Sequence, residues 1–247
     1  MSTTVLEVDA LHAGYGSHEI LKGVSLRLRA GEWFCLLGPN GSGKSTLLHS
    51  IGGRVVPTQG CISVCGHSIT AQPLLARRSL GFGCATEQLP GLLTGRQCLE
   101  VYALAKQVDE IDPPVMELAQ RLGFVKFIDR FVDTYSLGTR QKLCVLLALL
   151  GRPALIVLDE AFNGLDPASA LVLKQYLQQR LATGECAVLL ATHSLDIVEH
   201  YADHAALLLA GTIVSEWDAQ QIAALRADGA NGLEAALASA SSLAADA

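Results

Sequence analysis

The glycine-rich stretch Gly38-Pro39-Asn40-Gly41-Ser42-Gly43-Lys44-Ser45, continued by Thr46, fits the pattern G-x-x-x-x-G-K-[ST]. In that pattern backbone N–H groups cradle phosphates, the lysine reaches the terminal ones, and the serine hydroxyl is placed for Mg2+. Further along, the acidic pair Asp159-Glu160 ends the apolar run Leu155–Leu158. Burying two unpaired carboxylates is costly, so such a pair points to chemistry rather than packing. Asp159 is expected to hold the Mg2+ from the side opposite Ser45, directly or through water. His193 follows a second apolar run, Ala187–Ala191. Taken alone, a histidine there reads as structural.

The elements that must position these groups can be read from periodicity. Val5–Leu11 and Ile20–Leu28 mix apolar and polar positions as half-exposed strands do. Trp33–Leu37 reads as a buried strand and Ser45–Ser50 as the start of a helix, which flanks the glycine loop as a phosphate site requires. Cys61–Cys65, between Gly60 and Gly66, is a short strand. Residues 94–132 read as mostly helical, with a break at Asp112-Pro113-Pro114. From 140 onward helix (Arg140–Leu150), strand (Leu155–Leu158), helix (Pro167–Leu181), strand (Cys186–Ala191) and helix (Ser194–Tyr201) alternate, the sign of a parallel sheet. A hairpin, Ala205–Leu209 with Thr212–Glu216, turns at Ala210-Gly211. After Asp218 an Ala/Ser-rich tail over 219–247 is expected to be frayed or a loosely docked helix without catalytic role.

Composition narrows the class. A hydrophobic fraction of 50% with 17% charged residues suits a well-buried globular chain. A net charge of -6 gives no reason to expect nucleic acid as a partner. No apolar run reaches the roughly 20 residues that cross a bilayer, and Met1–Glu7 lacks the basic and apolar regions of a signal peptide, so a cytoplasmic chain is expected. The seven cysteines form no C-x-x-C pair. They are expected to be small core hydrophobes in a reducing compartment, Cys61 and Cys65 included. The remaining histidines, His12, His18, His49, His67, His200 and His204, show no ligand constellation.

Two more fragments complete a fixed order: Tyr135-Ser136-Leu137-Gly138-Thr139-Arg140-Gln141 lies between the glycine loop and Asp159-Glu160, and Ala191-Thr192-His193 follows them. All four together resemble the ATP-binding cassette (ABC) ATPases, over roughly residues 4–216. The resemblance implies a P-loop NTPase α/β core with a mixed, largely parallel sheet. It also implies an N-terminal antiparallel β subdomain, and a helical subdomain at about 86–150 inserted between phosphate loop and signature, within one domain spanning 4–218. It implies ATP as substrate with Mg2+, Glu160 as general base, His193 as a γ-phosphate contact that orients Glu160, and Tyr15 stacking on adenine. An aromatic beside two glycines also fits a turn residue or core anchor. Ser136 to Thr139 would act on ATP held by the opposite subunit, and Asn163-Gly164-Leu165-Asp166 sits at the D-loop position. The implied active form is a nucleotide-sandwiched dimer, a homodimer or a pair with a second cassette, working with a separate transmembrane permease on the inner face of the membrane.

The signature departs from the family's L-S-G-G-Q. Its form, with Leu93-Thr94-Gly95-Arg96 earlier, resembles the branch that exports drugs, lipids, polysaccharides or peptides. A soluble single-cassette ATPase, such as one serving iron–sulfur assembly, is the alternative. The family's Q-loop glutamine has no counterpart by counting: the position falls on Ala85, with Glu87 and Gln88 just beyond as candidate replacements. The sequence does not name the cargo.

Overall fold

The computed structural model describes residues 3–83, 85–108, 110–227 and 234–239. The chain opens with two long antiparallel strands, β1 (Thr4–Tyr15) and β2 (His18–Arg29), then the central strand β3 (Trp33–Leu37). The glycine loop leads into α1 (Lys44–Ile51). Strands β4 (Gln59–Val64) and β5 (His67–Ser68) complete a four-stranded antiparallel sheet of order β2-β1-β4-β5. Helix α2 (Pro73–Arg78) precedes β6 (Leu80–Phe82).

A helical region follows, built from α3 (Gly95–Ala105), α4 (Pro113–Arg121) and α5 (Leu137–Leu149). The chain then alternates through β7 (Leu155–Asp159), α6 (Pro167–Ala182), β8 (Ala187–Ala191) and α7 (Leu195–Tyr201). It closes with the hairpin β9 (His204–Leu209) and β10 (Thr212–Trp217) and the helix α8 (Ala219–Ala227). The second sheet has the order β10-β9-β3-β8-β7-β6, parallel except for its last hairpin.

Strands β3 and β8, and β7 up to its terminal Asp159, are apolar because both faces of this sheet are covered. Successive side chains point to opposite faces, so alternate residues join different cores. Trp33, Cys35, Ile156, Leu158, Val188 and Leu190 pack with the helical region, α6 and α7. Phe34, Leu36, Leu155, Val157, Leu189 and Ala191 pack with α1 and the antiparallel sheet.

Two readings from sequence change, and two elements carry no sequence signal. Helix α5 begins at Leu137, not Arg140, because Ser136 caps it and draws the signature residues into its first turn. The break read at Asp112-Pro113-Pro114 is present: α3 has ended at Ala105 and α4 starts anew at Pro113, since proline at the first helical position is already set in the right φ. Cys61 is exposed on the outward side of β4 and is not a core residue, whereas Cys65, just past that strand, is half-buried and packs against the core. Strand β6 and helix α2 are too short for periodicity to reveal. In the tail, α8 starts from a reciprocal pair of bonds at 2.9 Å between Asp218 and Gln221 and buries Ile222 against the core. The rest of the tail, apart from a helical stretch at 234–239, lies outside the described residues.

Candidate nucleotide site

The site forms where three parallel strands end level. Leu36 lies opposite Ala191 and Asp159 opposite Ala191 from the other side, so the carboxyl ends of β3, β7 and β8 sit side by side. The bonds Glu160 N to Ala191 O (3.0 Å) and Thr192 N to Leu36 O (3.1 Å) tie the segments leaving those strands. Ligand crevices of open α/β sheets occur at such strand ends.

The glycine loop wraps the start of α1 with Gly38, Gly41 and Gly43 at φ 152°, 82° and 110°, values that L side chains rarely adopt. Lys44 is only 7% exposed, and its Nζ donates to the carbonyls of Gly38 (2.6 Å) and Pro39 (3.2 Å). A buried ammonium held only by neutral carbonyls is suited to receive an anion. Ser42 Oγ is buried without a hydrogen-bond partner in the same loop. Thr46 is buried behind it, while Asn40 is exposed at the rim.

Ser45 Oγ donates to Asp159 Oδ2 at 2.9 Å across the mouth of the loop. Burial pushes the Asp159 carboxyl above the usual carboxylate range; the Ser45 hydroxyl opposes this and the neighbouring Glu160 adds to it. Two hard oxygen donors beside a phosphate-sized cradle fit Mg2+, which takes one or two protein ligands and completes its shell with water and phosphate.

Glu160 is held differently. Its backbone is left-handed at φ 46°, a conformation that costs a non-glycine residue roughly 1–3 kcal/mol and persists only when the surroundings impose it. His193 Nδ1 donates to its Oε1 at 2.9 Å, and Asn163 Nδ2 to its Oε2 at 3.3 Å. These three side chains, with Gly38, Pro39 and Asn40, line a cavity of about 410 Å3. Tyr15, 53% exposed where β1 ends, shares a 3.3 Å hydrogen bond with His49 on α1. Burial, reinforced by Arg54, lowers the His49 pKa. His49 and Asn163 escaped the sequence reading as individual contacts: 34 residues separate His49 from Tyr15, and nothing local marks the pairing.

The signature residues lie apart from this cavity. Ser136 caps α5, its Oγ accepting from Thr139 N at 3.3 Å and sharing a 2.9 Å bond with Thr139 Oγ1, and Leu137 is 61% exposed. Asp166 is spent as the cap of α6: it accepts from Ser169 N and Ser169 Oγ, at 2.9 and 2.7 Å, and from Lys142 at 3.3 Å, which hold its carboxyl well below the usual range. Ala85 has no donor atom to offer, Glu87 accepts from the Thr86 hydroxyl at 2.9 Å, and Gln88 accepts from Arg54 at 2.8 Å. Neither Glu87 nor Gln88 bonds to Ser45 or Asp159.

Comparison with known proteins agrees with this geometry. Residues 21–163 match the family described as ABC transporter. The chain is 35% identical, over 87% of its length, to the uncharacterized ABC transporter ATP-binding protein YdbJ of Bacillus subtilis, and 31% identical, again over 87%, to the Nod factor export ATP-binding protein I of Rhizobium meliloti. It spans 70% and 64% of those proteins' own lengths. Among solved structures, the ATP-binding subunit of an ABC transporter superposes with a TM-score of 0.80 at 29% identity, over 91% of this chain and 92% of that one. A dimeric ATP-binding cassette bound to ADP and Pi shares the fold, with a TM-score of 0.78 at 22% identity over 87% of this chain and 98% of that one. Phosphate loop, acidic pair and histidine thus stand in the fold that such proteins share, and the chain belongs to the ABC transporter family, whose ATP-binding cassette it carries.

Proposed function

We propose that this chain binds and hydrolyses ATP as the energy-supplying subunit of an exporter, working as a nucleotide-sandwiched dimer beneath a separate membrane permease. The observation that carries the hydrolytic part is the convergence of Lys44, Ser45, Asp159, Glu160 and His193 at one strand end. Lys44 and the N–H groups at the start of α1 take the β- and γ-phosphates. Ser45 and Asp159 would hold Mg2+, which when bound neutralises charge developing on the phosphates. Glu160 accepts the proton of the attacking water, and His193 fixes the carboxylate while its other face meets the γ-phosphate. Tyr15 offers an exposed ring for adenine.

A partner subunit is supported by two features. The signature residues around Ser136 are not among those lining this chain's own cavity, which leaves them available to a second copy's nucleotide. A separate cleft of about 410 Å3 is lined by Leu74, Arg78, Leu80, Phe82, Tyr102 and Lys106, among others, which suits a protruding segment of a permease. No helix among the described residues is long and apolar enough to cross a membrane. Export as the direction rests on the signature form, the Leu93–Arg96 stretch and the likeness to a Nod factor export protein.

Replacing Glu160 by Gln keeps shape and hydrogen bonding but removes the proton acceptor. Steady-state phosphate release is expected to fall by about two orders of magnitude or more, the scale of general-base catalysis. The ATP-bound dimer should then accumulate on a sizing column. Phosphate release at the wild-type rate would show that another group is the base.

A further inference from the structure

We infer that Asn163 is a positioning residue for hydrolysis: its side-chain amide fixes the orientation of the Glu160 carboxylate from the side opposite His193. The inference rests on the reading of Glu160 as the base and adds a residue to it.

The geometry begins with the turn that leaves β7. Glu160 is left-handed, and its carbonyl accepts from Asn163 N at 2.9 Å, so the chain doubles back at once and places the two side chains together. Asn163 Nδ2 then reaches Glu160 Oε2 at 3.3 Å while His193 Nδ1 takes Oε1 at 2.9 Å. A carboxylate has about four lone-pair positions, so two donors leave acceptor capacity toward the cavity. What they remove is rotation. With one donor on each oxygen the carboxylate plane is set, and a base must lie within about 0.5 Å of its productive place.

Asn163 is itself exposed and lines the same cavity as Gly38, Pro39 and Asn40. No packing demand accounts for an asparagine there. The next residue, Gly164, is held from behind: a Cβ on Gly138 would come within 2.6 Å of the Gly164 carbonyl, and a Cβ on Gly164 would meet Leu137 at 3.4 Å. The first turn of α5 therefore backs the loop that carries Asn163, which gives the amide a fixed platform.

The test is steady-state ATP hydrolysis by the full chain with Asn163→Leu, which keeps the size and removes the donor, and Asn163→Gln, which keeps an amide. Asn163→Leu is expected to lower kcat about tenfold, the usual scale for an orienting partner, with KM for ATP within about twofold. Asn163→Gln should recover a substantial part of the loss. In the Glu160→Gln background, where there is no carboxylate base to orient, Asn163→Leu should leave ATP-dependent dimer formation and the residual rate unchanged. An unaltered kcat in Asn163→Leu overturns the inference. So does a rise in KM without a fall in kcat, or loss of the ATP-dependent dimer in the double variant, either of which would make Asn163 a binding or interface residue. Wild-type turnover in Glu160→Gln alone instead sinks the base assignment.

Discussion

At the scale of single residues, the nucleotide site is a set of groups each left short of a partner. Lys44 has only carbonyls, Ser42 Oγ has nothing, and Asp159 is raised by burial with one hydroxyl to offset it. ATP with a divalent cation would supply the missing opposite charges, so the site can be preformed. The unsettled residues are those after β6. Gln88 is engaged by Arg54, which also stacks 4.9 Å above the Phe82 ring, while Glu87 is tied to its neighbour Thr86. Its own backbone N–H, helped by the Thr86 hydroxyl, draws the Glu87 carboxyl below the ordinary glutamate range. An ionised, locally clamped carboxylate is the better candidate for a cation, and an amide already bound to arginine the poorer one. Glu87→Ala is expected to lower Mg2+-dependent hydrolysis severalfold, Gln88→Ala by less than twofold, measured as initial rates over a Mg2+ titration. Equal effects of both would assign the two side chains to the loop surface.

At the scale of elements, two stretches that suggested the exporter branch prove to be one contact. Tyr135, just before the signature serine, is buried and sends its hydroxyl to Phe127 O at 2.8 Å while accepting from Gly95 N at 3.2 Å. A side chain at Gly95 would come 2.5 Å from that hydroxyl and 2.8 Å from Phe124, so glycine at 95 and tyrosine at 135 require each other. The same ring meets Phe124 edge-on at 5.8 Å. Thr94 caps α3 beside it through a reciprocal bond pair with Gln97, which fixes the N-terminus of α3 against the start of α5. Tyr135→Phe leaves Gly95 N without its acceptor, while Phe127 O keeps its bond from Arg130 N at 2.8 Å, and should cost about 1–3 kcal/mol in urea unfolding. Gly95→Ala should cost more than Tyr135→Phe, because the added Cβ would overlap both the Tyr135 hydroxyl and the Phe124 ring, and Gly95→Ala with Tyr135→Phe should recover part of the loss. A double variant no better than Gly95→Ala would show that Phe124 sets the limit.

At the scale of the whole molecule, the cleft bounded by α2, β6, α3 and α5 brings together Arg54, Arg77, Arg78 and Lys106 in a chain of net charge -6. Among the described residues none of the four pairs with a carboxylate; they bond to Gln88, Gly53 O, Gln107 and the carbonyls of Arg77 and Leu80. Burial lowers the Lys106 pKa to about 8. An unfolded lysine titrates near 10.4. The folded state therefore binds fewer protons than the unfolded one between those values, and its stability rises with pH across that window. Wild type should gain stability relative to Lys106→Met between about pH 8 and pH 10, read from thermal melts of both proteins at matched ionic strength. A difference that does not change with pH would place the ammonium in solvent.

The sequence alone determined the parts whose signal is local. Glycines that permit positive φ, a lysine and serine at fixed offsets, apolar strands ending in Asp159-Glu160 or running into Thr192-His193, and the order of these pieces were all legible, and with them the α/β class and the phosphate chemistry. The start of α5 was misread by three residues, because a capping serine acts only once a helix has a direction. What the tertiary structure decided is pairing over distance. Tyr15 meets His49, Gly95 meets Tyr135, and four cations separated by up to 52 positions share one cleft. No periodicity encodes such meetings, since they follow from how the helical region packs on the sheet. Nor does a motif show that Asn163 turns back onto Glu160, because the turn depends on a strained backbone that β8 and His193 hold in place.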